Sequence, residues 1–257
     1  MSVTVLARRL GVPGGAELAS WTPGVRLAGA AAATIWLIVL LGRRDRVPRW
    51  APYAATAVGA VALAAPLLPA TGGRAGYRVA FAALIAWTAL EAARSQGIRA
   101  RTLITLGTKA TGWERAIAFS FPAACLYLSM AFTTVGFQLL AGSPQALRRA
   151  QEQGLEWSAD AGLVLPVASI LYTCVLEELV LVAAVAVLGR AAGLPFLLIV
   201  VISVAARVGI HSYLGLPALA VIVLGVTAML LYRRHQTLLP LLAAHALFDT
   251  VAVLAQQ

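Results

Sequence analysis

Long apolar runs separated by short polar segments occupy most of the 257-residue chain. A transmembrane helix needs about 20 mostly apolar residues. By that measure the candidate spans are residues 25–42, 51–70, 78–93, 115–141, 162–188, 194–211, 215–232 and 238–255. We therefore predict an all-α fold, a polytopic transmembrane helical bundle of about eight spans.

The second and third runs have the least regular boundaries. The second contains Pro52, Pro66 and Pro69, which a transmembrane helix tolerates near its ends. The third is short and ends in Glu91 and Arg94. We expect Glu91 to snorkel or to pair with a nearby arginine such as Arg94.

Polar segments divide this single membrane domain into parts. The first apolar run ends at a cluster of arginines, a stop-transfer pattern, so we expect a retained anchor helix and no cleaved signal. Within the connector, residues 143–160 form either a short interfacial helix or a solvated link. The predicted parts are an N-terminal polar segment (1–23), accessory transmembrane helices (24–141), a polar connector (142–161) and core helices (162–257).

Composition and charge narrow the class of protein. The chain is 61% hydrophobic and 12% charged, with a mean hydropathy of +0.86, which excludes an ordinary soluble enzyme and a disordered chain. The net charge of +10 would suggest a nucleic-acid partner in a soluble protein. Here the arginines lie between apolar runs, where they orient spans and contact lipid headgroups. We expect membrane lipids as partners and no nucleic acid, and the oligomeric state stays open.

The distribution of basic residues predicts an orientation. With eight spans, twelve basic residues fall in the loops at residues 43–49, 94–115, 190 and 233–234, and seven fall on the other face. The positive-inside rule then places the twelve-charge face in the cytoplasm and both termini outside.

Ionisable side chains inside apolar spans are costly, so each is a candidate functional residue. They concentrate near the C-terminus as three pairs: Glu177 with Glu178, Arg207 with His211, and His245 with Asp249. Residues four apart share a helix face, as in the last two pairs. The adjacent glutamates diverge by about 100° on an α-helix, so only one of them is expected to face a given site directly.

The order of these residues resembles the CPBP family of intramembrane proteases. That family includes the CAAX prenyl endopeptidases and Abi-type bacterial proteins of bacteriocin processing and immunity. Its motifs are Glu-Glu-x-x-x-Arg, Phe-x-x-x-His and His-x-x-x-Asn/Asp on successive helices. Glu177-Glu178, His211 and His245 with Asp249 match them in that order, at separations of 34 residues.

Two positions depart from the family pattern. Val182 stands where the first motif has its arginine, and Arg207 stands where the second has its phenylalanine. Our hypothesis is a relocated charge, with Arg207 reaching across from its own helix to pair with Glu178. The alternative is decay of the enzyme into a non-catalytic member of the family.

The resemblance implies an intramembrane endopeptidase that hydrolyses a membrane-associated peptide or protein. Glu177 would be the general base that activates water, and His211 would help hold that water. His245 and Asp249 would polarise the scissile carbonyl and stabilise the oxyanion, with Glu178 and Arg207 supporting them. It also implies a multi-pass protein of the bacterial cytoplasmic membrane.

We expect no cofactor, because the chain has no zinc-protease HExxH motif. A zinc ion would have Glu177, His211 and His245 as its ligands.

One geometrical expectation conflicts with a shared site. On ideal spans Glu177 lies about 22 Å from the outer face and His211 about 25 Å from the inner face, which are different depths. Either a span boundary is shifted by a turn or two, or one helix is broken around a wet cavity.

Other functions fit parts of the same pattern. One alternative is a non-catalytic immunity or regulatory protein. Another is a lipid- or isoprenoid-modifying enzyme on the same scaffold. A transporter is disfavoured because the polar residues cluster in the C-terminal spans and no inverted repeat is visible.

Overall fold

The computed structural model describes residues 22–44, 47–65, 70–98, 112–141 and 164–254. These residues form helices joined by turns, with no strand among them. The helices of the first half are α1 (Thr22–Gly42), α2 (Ala51–Ala64), α3 (Ala70–Ser95) and α4 (Gly112–Leu140).

The second half begins with one continuous helix that changes type twice. Its parts are α5 (Val164–Cys174), the π-helix π1 (Val175–Ala184) and α6 (Val185–Ala191). Helix α7 follows, then two short 3₁₀ segments, and then α8 and α9. Their bounds are Phe196–Ile210, Ser212–Leu214, Leu216–Ala220, Val221–His235 and Leu239–Leu254.

The predicted all-α helical bundle is confirmed, since each of the eight predicted apolar runs contains a helix. The predicted end of the second run at residue 70 and the predicted start of the third at residue 78 were wrong. Helix α2 ends at Ala64, and residue 70 already belongs to α3. A proline has no N–H to donate to a continuing helix, and the sequence has one at position 66, directly after Ala65, which accounts for the end of α2. The segments 1–21 and 142–163, which contain the predicted interfacial helix or link, lie outside the described residues.

Three helical stretches of the described chain are long and apolar enough to cross a membrane. They are Gly112–Leu140, Val164–Ala191 and Leu216–His235. Large apolar side chains cover much of the outer surface: Phe132 and Leu197, for example, are 71% and 74% exposed. A surface of this kind needs a lipid environment to cover it.

The helices pack in two groups that share α3. Helices α1 and α2 pack on α3 around a small core that includes Leu37 and Leu84. The larger core includes Leu126 of α4, Val182 of π1 and Met229 of α8, and it is completed by α9. The π-helix lies inside this second group, in contact with α3, α7, α8 and α9, so its side chains are removed from the bilayer.

Glu91 in α3 is 4% exposed and belongs to a separate ion cluster. Its carboxylate oxygens lie 2.5 Å from Arg94 and 3.3 Å from Arg44, and Trp87 donates an indole N–H to it. The predicted pairing with Arg94 is therefore present, and Arg44 joins α1 to α3 through the same carboxylate.

Candidate active site

The two adjacent glutamates lie at the start of π1. Glu177 is 5% exposed and Glu178 is fully buried. Hydrogen bonds from residue i to i+5 widen a π-helix, so neighbouring side chains diverge by less than the 100° of an α-helix. Both glutamates contact one partner, Arg207, but only Glu177 lines the cavity described below, as expected for adjacent residues of a helix.

A side chain from α7 supports the π-helical backbone. The buried Ser203 hydroxyl donates a hydrogen bond to the carbonyl of Leu181 at 2.6 Å. A change of hydrogen-bonding pattern within a helix leaves backbone groups that need other partners in a buried setting. Ser203 supplies one such partner, and it lies one turn before Arg207.

Arg207 links the two glutamates. It is fully buried, and its Nη1 lies 2.8 Å from Glu177 Oε2 while its Nη2 lies 3.2 Å from Glu178 Oε1. Nη2 also donates to the backbone carbonyl of Glu177 at 2.8 Å. The predicted pairing of Arg207 with Glu178 is present, and the contact with Glu177 was not anticipated. A guanidinium serves both carboxylates because its donors form a planar fork.

Space for the Arg207 side chain comes from a glycine in α8. A Cβ added at Gly225 would lie 3.6 Å from Arg207 Cδ and only 3.0 Å from Val204 Cγ2. The absence of a side chain at this position lets α7 lie close to α8 and leaves room for the arginine stem between them.

His211 stands just after the last residue of α7. Its Nδ1 lies 2.9 Å from the Arg207 carbonyl, and its Nε2 lies 3.6 Å from Glu177 Oε1. With Nδ1 as the donor to that carbonyl, Nε2 of the neutral ring is an acceptor directed toward Glu177. At 3.6 Å the two atoms are beyond direct hydrogen-bonding distance, and a single water beside them is within reach of both.

The end of α7 places His211 beside Glu177, although the two residues were expected at different depths. This helix has 15 residues, a length of about 22 Å, which is short of the roughly 30 Å hydrocarbon core. The chain then turns through the two 3₁₀ segments, between which Gly215 has φ 71° and ψ −135°, a conformation that other residues rarely adopt. Helix α7 thus ends at Ile210, close to the predicted end of this span, and His211 lies in the turn that follows, 3.6 Å from Glu177.

Helix α9 brings the third pair of residues to the same place. His245 Nδ1 lies 2.9 Å from Glu178 Oε1, and His245 Nε2 lies 3.7 Å from Asp249 Oδ2. The sequence spacing predicted Asp249 as the partner that orients the imidazole. In the structure the closer partner is Glu178, which therefore holds both Arg207 and His245.

A cavity of about 180 Å³ joins these groups. Glu177, His211, His245 and Asp249 line it, whereas Glu178 and Arg207 lie behind its wall. Helix α4 provides much of the opposite side, with Met130, Thr133, Thr134 and Phe137 among the lining residues. Sequence reasoning had assigned no role to α4, because its side chains carry no charge in this region.

A metal ion would meet a different ligand set from the predicted one. Among the described residues, Glu177, Glu178 and His245 offer ligand atoms within 4.8 Å of one another, and His211 is not in that group. The Arg207 guanidinium already binds an oxygen of each glutamate. A cation would have to displace that positive charge, so the donor set fits a metal poorly.

Thr173 in α5 is a site residue that sequence reasoning missed. Its hydroxyl donates to Asp249 Oδ2 at 2.9 Å, closer than the two carbonyls of its own helix at 3.1 Å. Its position four residues before Glu177 was the available signal, because residues at that spacing lie on one face.

We expect Thr173→Val to lower the turnover rate of the site about tenfold, because a hydrogen bond to a charged group contributes on the order of 1.5–3 kcal/mol. For the peptide hydrolysis that the resemblance implies, the measurement is kcat and KM on a model peptide. Thr134→Val is the matched control: this threonine lines the same cavity but donates within α4, to Met130 O. Equal losses of turnover in the two variants would show that Thr173 acts through the surface of the cavity and not through its hydrogen bond to Asp249.

Comparison with known proteins identifies the family that this part of the chain resembles. Residues 159–251, which include the four ionisable residues that line the cavity, match the family described as type II CAAX prenyl endopeptidase Rce1-like. The predicted resemblance to CAAX-type proteases is thereby confirmed for residues 159–251, about a third of the chain. The three long apolar helices are those expected of an integral membrane protein. No curated protein and no solved structure matches the chain significantly.

Proposed function

We propose that this chain is a multi-pass, CAAX-type intramembrane endopeptidase that hydrolyses a membrane-associated peptide or protein with water activated by Glu177. The observation that carries the proposal is the convergence of Glu177 and His211 on one side of the cavity and of His245 and Asp249 on another. These groups come from the π-helix, from the turn after α7 and from α9. Glu177 and His245 are buried, whereas the side chains of His211 and Asp249 are 17% and 26% exposed. Burial of this kind allows control over when water reaches a reacting bond.

In the proposed reaction, water lies between Glu177 Oε1 and His211 Nε2. Glu177 takes a proton from it, and the hydroxide formed attacks the carbonyl carbon of the scissile peptide bond. The bond between that carbon and nitrogen then breaks as the proton on Glu177 passes to the leaving amine. A general base at hydrogen-bonding distance from its water typically accelerates such a step by about 100- to 10,000-fold.

His245 is the proposed donor to the oxyanion. Its Nδ1 is occupied by Glu178, so only Nε2 can reach the cavity. An Nε2–H that donates while Nδ1–H also donates requires the imidazolium form. The three carboxylates at the site outnumber the single arginine, and this favours a positive charge on His245.

Arg207 supports a second candidate function, that of a non-catalytic immunity or regulatory protein. Its guanidinium binds Glu177 Oε2 at 2.8 Å, and a carboxylate held in an ion pair is a weaker base. Glu177 Oε1 is nevertheless directed toward His211 and does not contact Arg207. One oxygen is therefore available for water, and for this reason we favour the protease.

The test compares the membrane peptidomes of cells that express the native chain or its Glu177→Gln variant at equal levels. We expect peptide fragments that occur with the native chain alone, and their ends would identify the substrates. Identical peptidomes, with the biological effect of the chain retained by the variant, would contradict the protease and favour binding without cleavage. Altered lipids with unaltered peptides would instead indicate a lipid- or isoprenoid-modifying enzyme.

A further inference from the structure

A second cavity lies apart from the candidate active site, between the ends of three helices. It measures about 170 Å³ and lies where α6 ends, α7 begins and α8 ends. Its lining residues are Ala186, Arg190, Leu194, Phe196, Ile199 and Arg233. It therefore combines two guanidiniums with an otherwise apolar wall.

Both guanidiniums are held in place by neighbours. Arg233 lies over the Phe196 ring, 4.1 Å from its centroid, in a cation–π contact. Arg190 donates from Nε to the Ala186 carbonyl at 3.2 Å and from Nη2 to the Gln236 side chain at 3.0 Å. Because these contacts already restrict both side chains, the two guanidiniums lose little conformational entropy when an anion binds between them.

Neither arginine has its charge balanced by a carboxylate in the part of the chain that the structure describes. The described ion pairs involve Arg44, Arg94 and Arg207, and none involves Arg190 or Arg233. The next residue, Arg234, adds a further positive charge. The surroundings therefore attract an anion, and guanidinium groups bind phosphate oxygens with good geometry.

The apolar side of the cavity continues onto the outer surface of the bundle. Leu197 and Val201 on the first turns of α7 are 74% and 53% exposed. A molecule with its charge at Arg190 and Arg233 would thus meet an apolar surface directly beside it. The predicted orientation places both arginines on the cytoplasmic face, where the leaflet contains anionic lipids.

We propose that this cavity binds one anionic phospholipid, with its phosphate between Arg190 and Arg233 and the start of an acyl chain along Phe196 and Leu197. The site is independent of the proposed proteolysis, because it shares no lining residue with the active-site cavity. Its ligand is a structural lipid that joins the ends of α6, α7 and α8.

The experiment measures lipid retention by native mass spectrometry of the full chain in neutral detergent, which has no surface potential of its own. The lipids are phosphatidylglycerol and phosphatidylcholine, added separately. We expect the native chain to retain phosphatidylglycerol preferentially. Arg190→Gln with Arg233→Gln should weaken that retention by up to roughly 25-fold, up to about fivefold for each arginine.

The control is Arg43→Gln with Arg49→Gln, which removes two exposed arginines of another loop on the same predicted face. It should retain the lipid as the native chain does. Equal weakening in both double variants would overturn the proposal in favour of a general charge effect. A native chain that does not prefer phosphatidylglycerol would overturn it even if the cavity variant fails to fold. Binding of inorganic phosphate without binding of phosphatidylglycerol would also overturn it, since the ligand would then be a soluble anion.

Discussion

Replacing Arg207 by methionine should lower the free energy of unfolding by about 3–5 kcal/mol, a typical cost of removing one partner from a buried ion pair. Arg207 is fully buried, and it is the cationic partner of both Glu177 and Glu178. Without it, two carboxylates would be left in the interior of the bundle with only histidines nearby. The measurement is unfolding of the purified chain by titration with SDS in mixed micelles.

A matched control shows whether the loss of stability depends on the burial of the ion pair. Arg94→Met also removes an arginine that binds a buried glutamate, but the Arg94 side chain is 40% exposed and Arg44 remains bound to Glu91. We expect a loss of no more than about 1 kcal/mol there. If the two variants lost equal stability, burial of Arg207 would not be the reason for its effect.

A triple variant tests whether the two unpaired carboxylates cause the loss of stability in Arg207→Met. Arg207→Met combined with Glu177→Gln and Glu178→Gln removes the charges together. An unpaired buried charge costs more than a buried neutral amide, and replacement of a buried charged set by uncharged groups avoids the larger cost. We therefore expect the triple variant to recover most of the stability that Arg207→Met loses.

Replacing Glu177 by glutamine should abolish peptide hydrolysis, with a fall in kcat on the order of a thousandfold. The amide keeps the size of the carboxylate and can still contact Arg207, but it cannot take a proton from water. The helix should remain folded, because Glu178 retains its contacts with Arg207 and His245. The measurement is the cleavage rate of a substrate peptide in proteoliposomes.

Glu91→Gln provides the control for this variant. Glu91 is 4% exposed, nearly the same as Glu177, and it too is bound by arginines, yet it lies among α1 and α3 and does not line the active-site cavity. We expect its cleavage rate to stay within about twofold of the native rate. A Glu177→Gln protein that cleaves as fast as the Glu91→Gln protein would eliminate Glu177 as the general base.

The sequence by itself determined the class of fold and the residues worth testing. Apolar runs of membrane-spanning length can be satisfied inside a bilayer by helices, so the number and type of the elements follow from hydropathy. The costly ionisable residues were visible for the same reason, since Glu177, His211, His245 and Asp249 interrupt apolar runs. The missing motif arginine at Val182 and the additional arginine at position 207 likewise suggested that Arg207 pairs with Glu178, and the structure contains this pair.

Only the tertiary structure decided how these residues meet. The contacts of both glutamates with Arg207, and of His211 with Glu177, join residues about 30 positions apart and exist only because the helices pack together. The roles of Thr173 and of the α4 residues that line the cavity were not predicted, because an uncharged side chain in an apolar run does not stand out as a functional residue. Hydropathy records the cost of placing each residue in lipid, whereas a site depends on distances between helices, and those are set by contacts such as Gly225 with Val204 and Ser203 with Leu181.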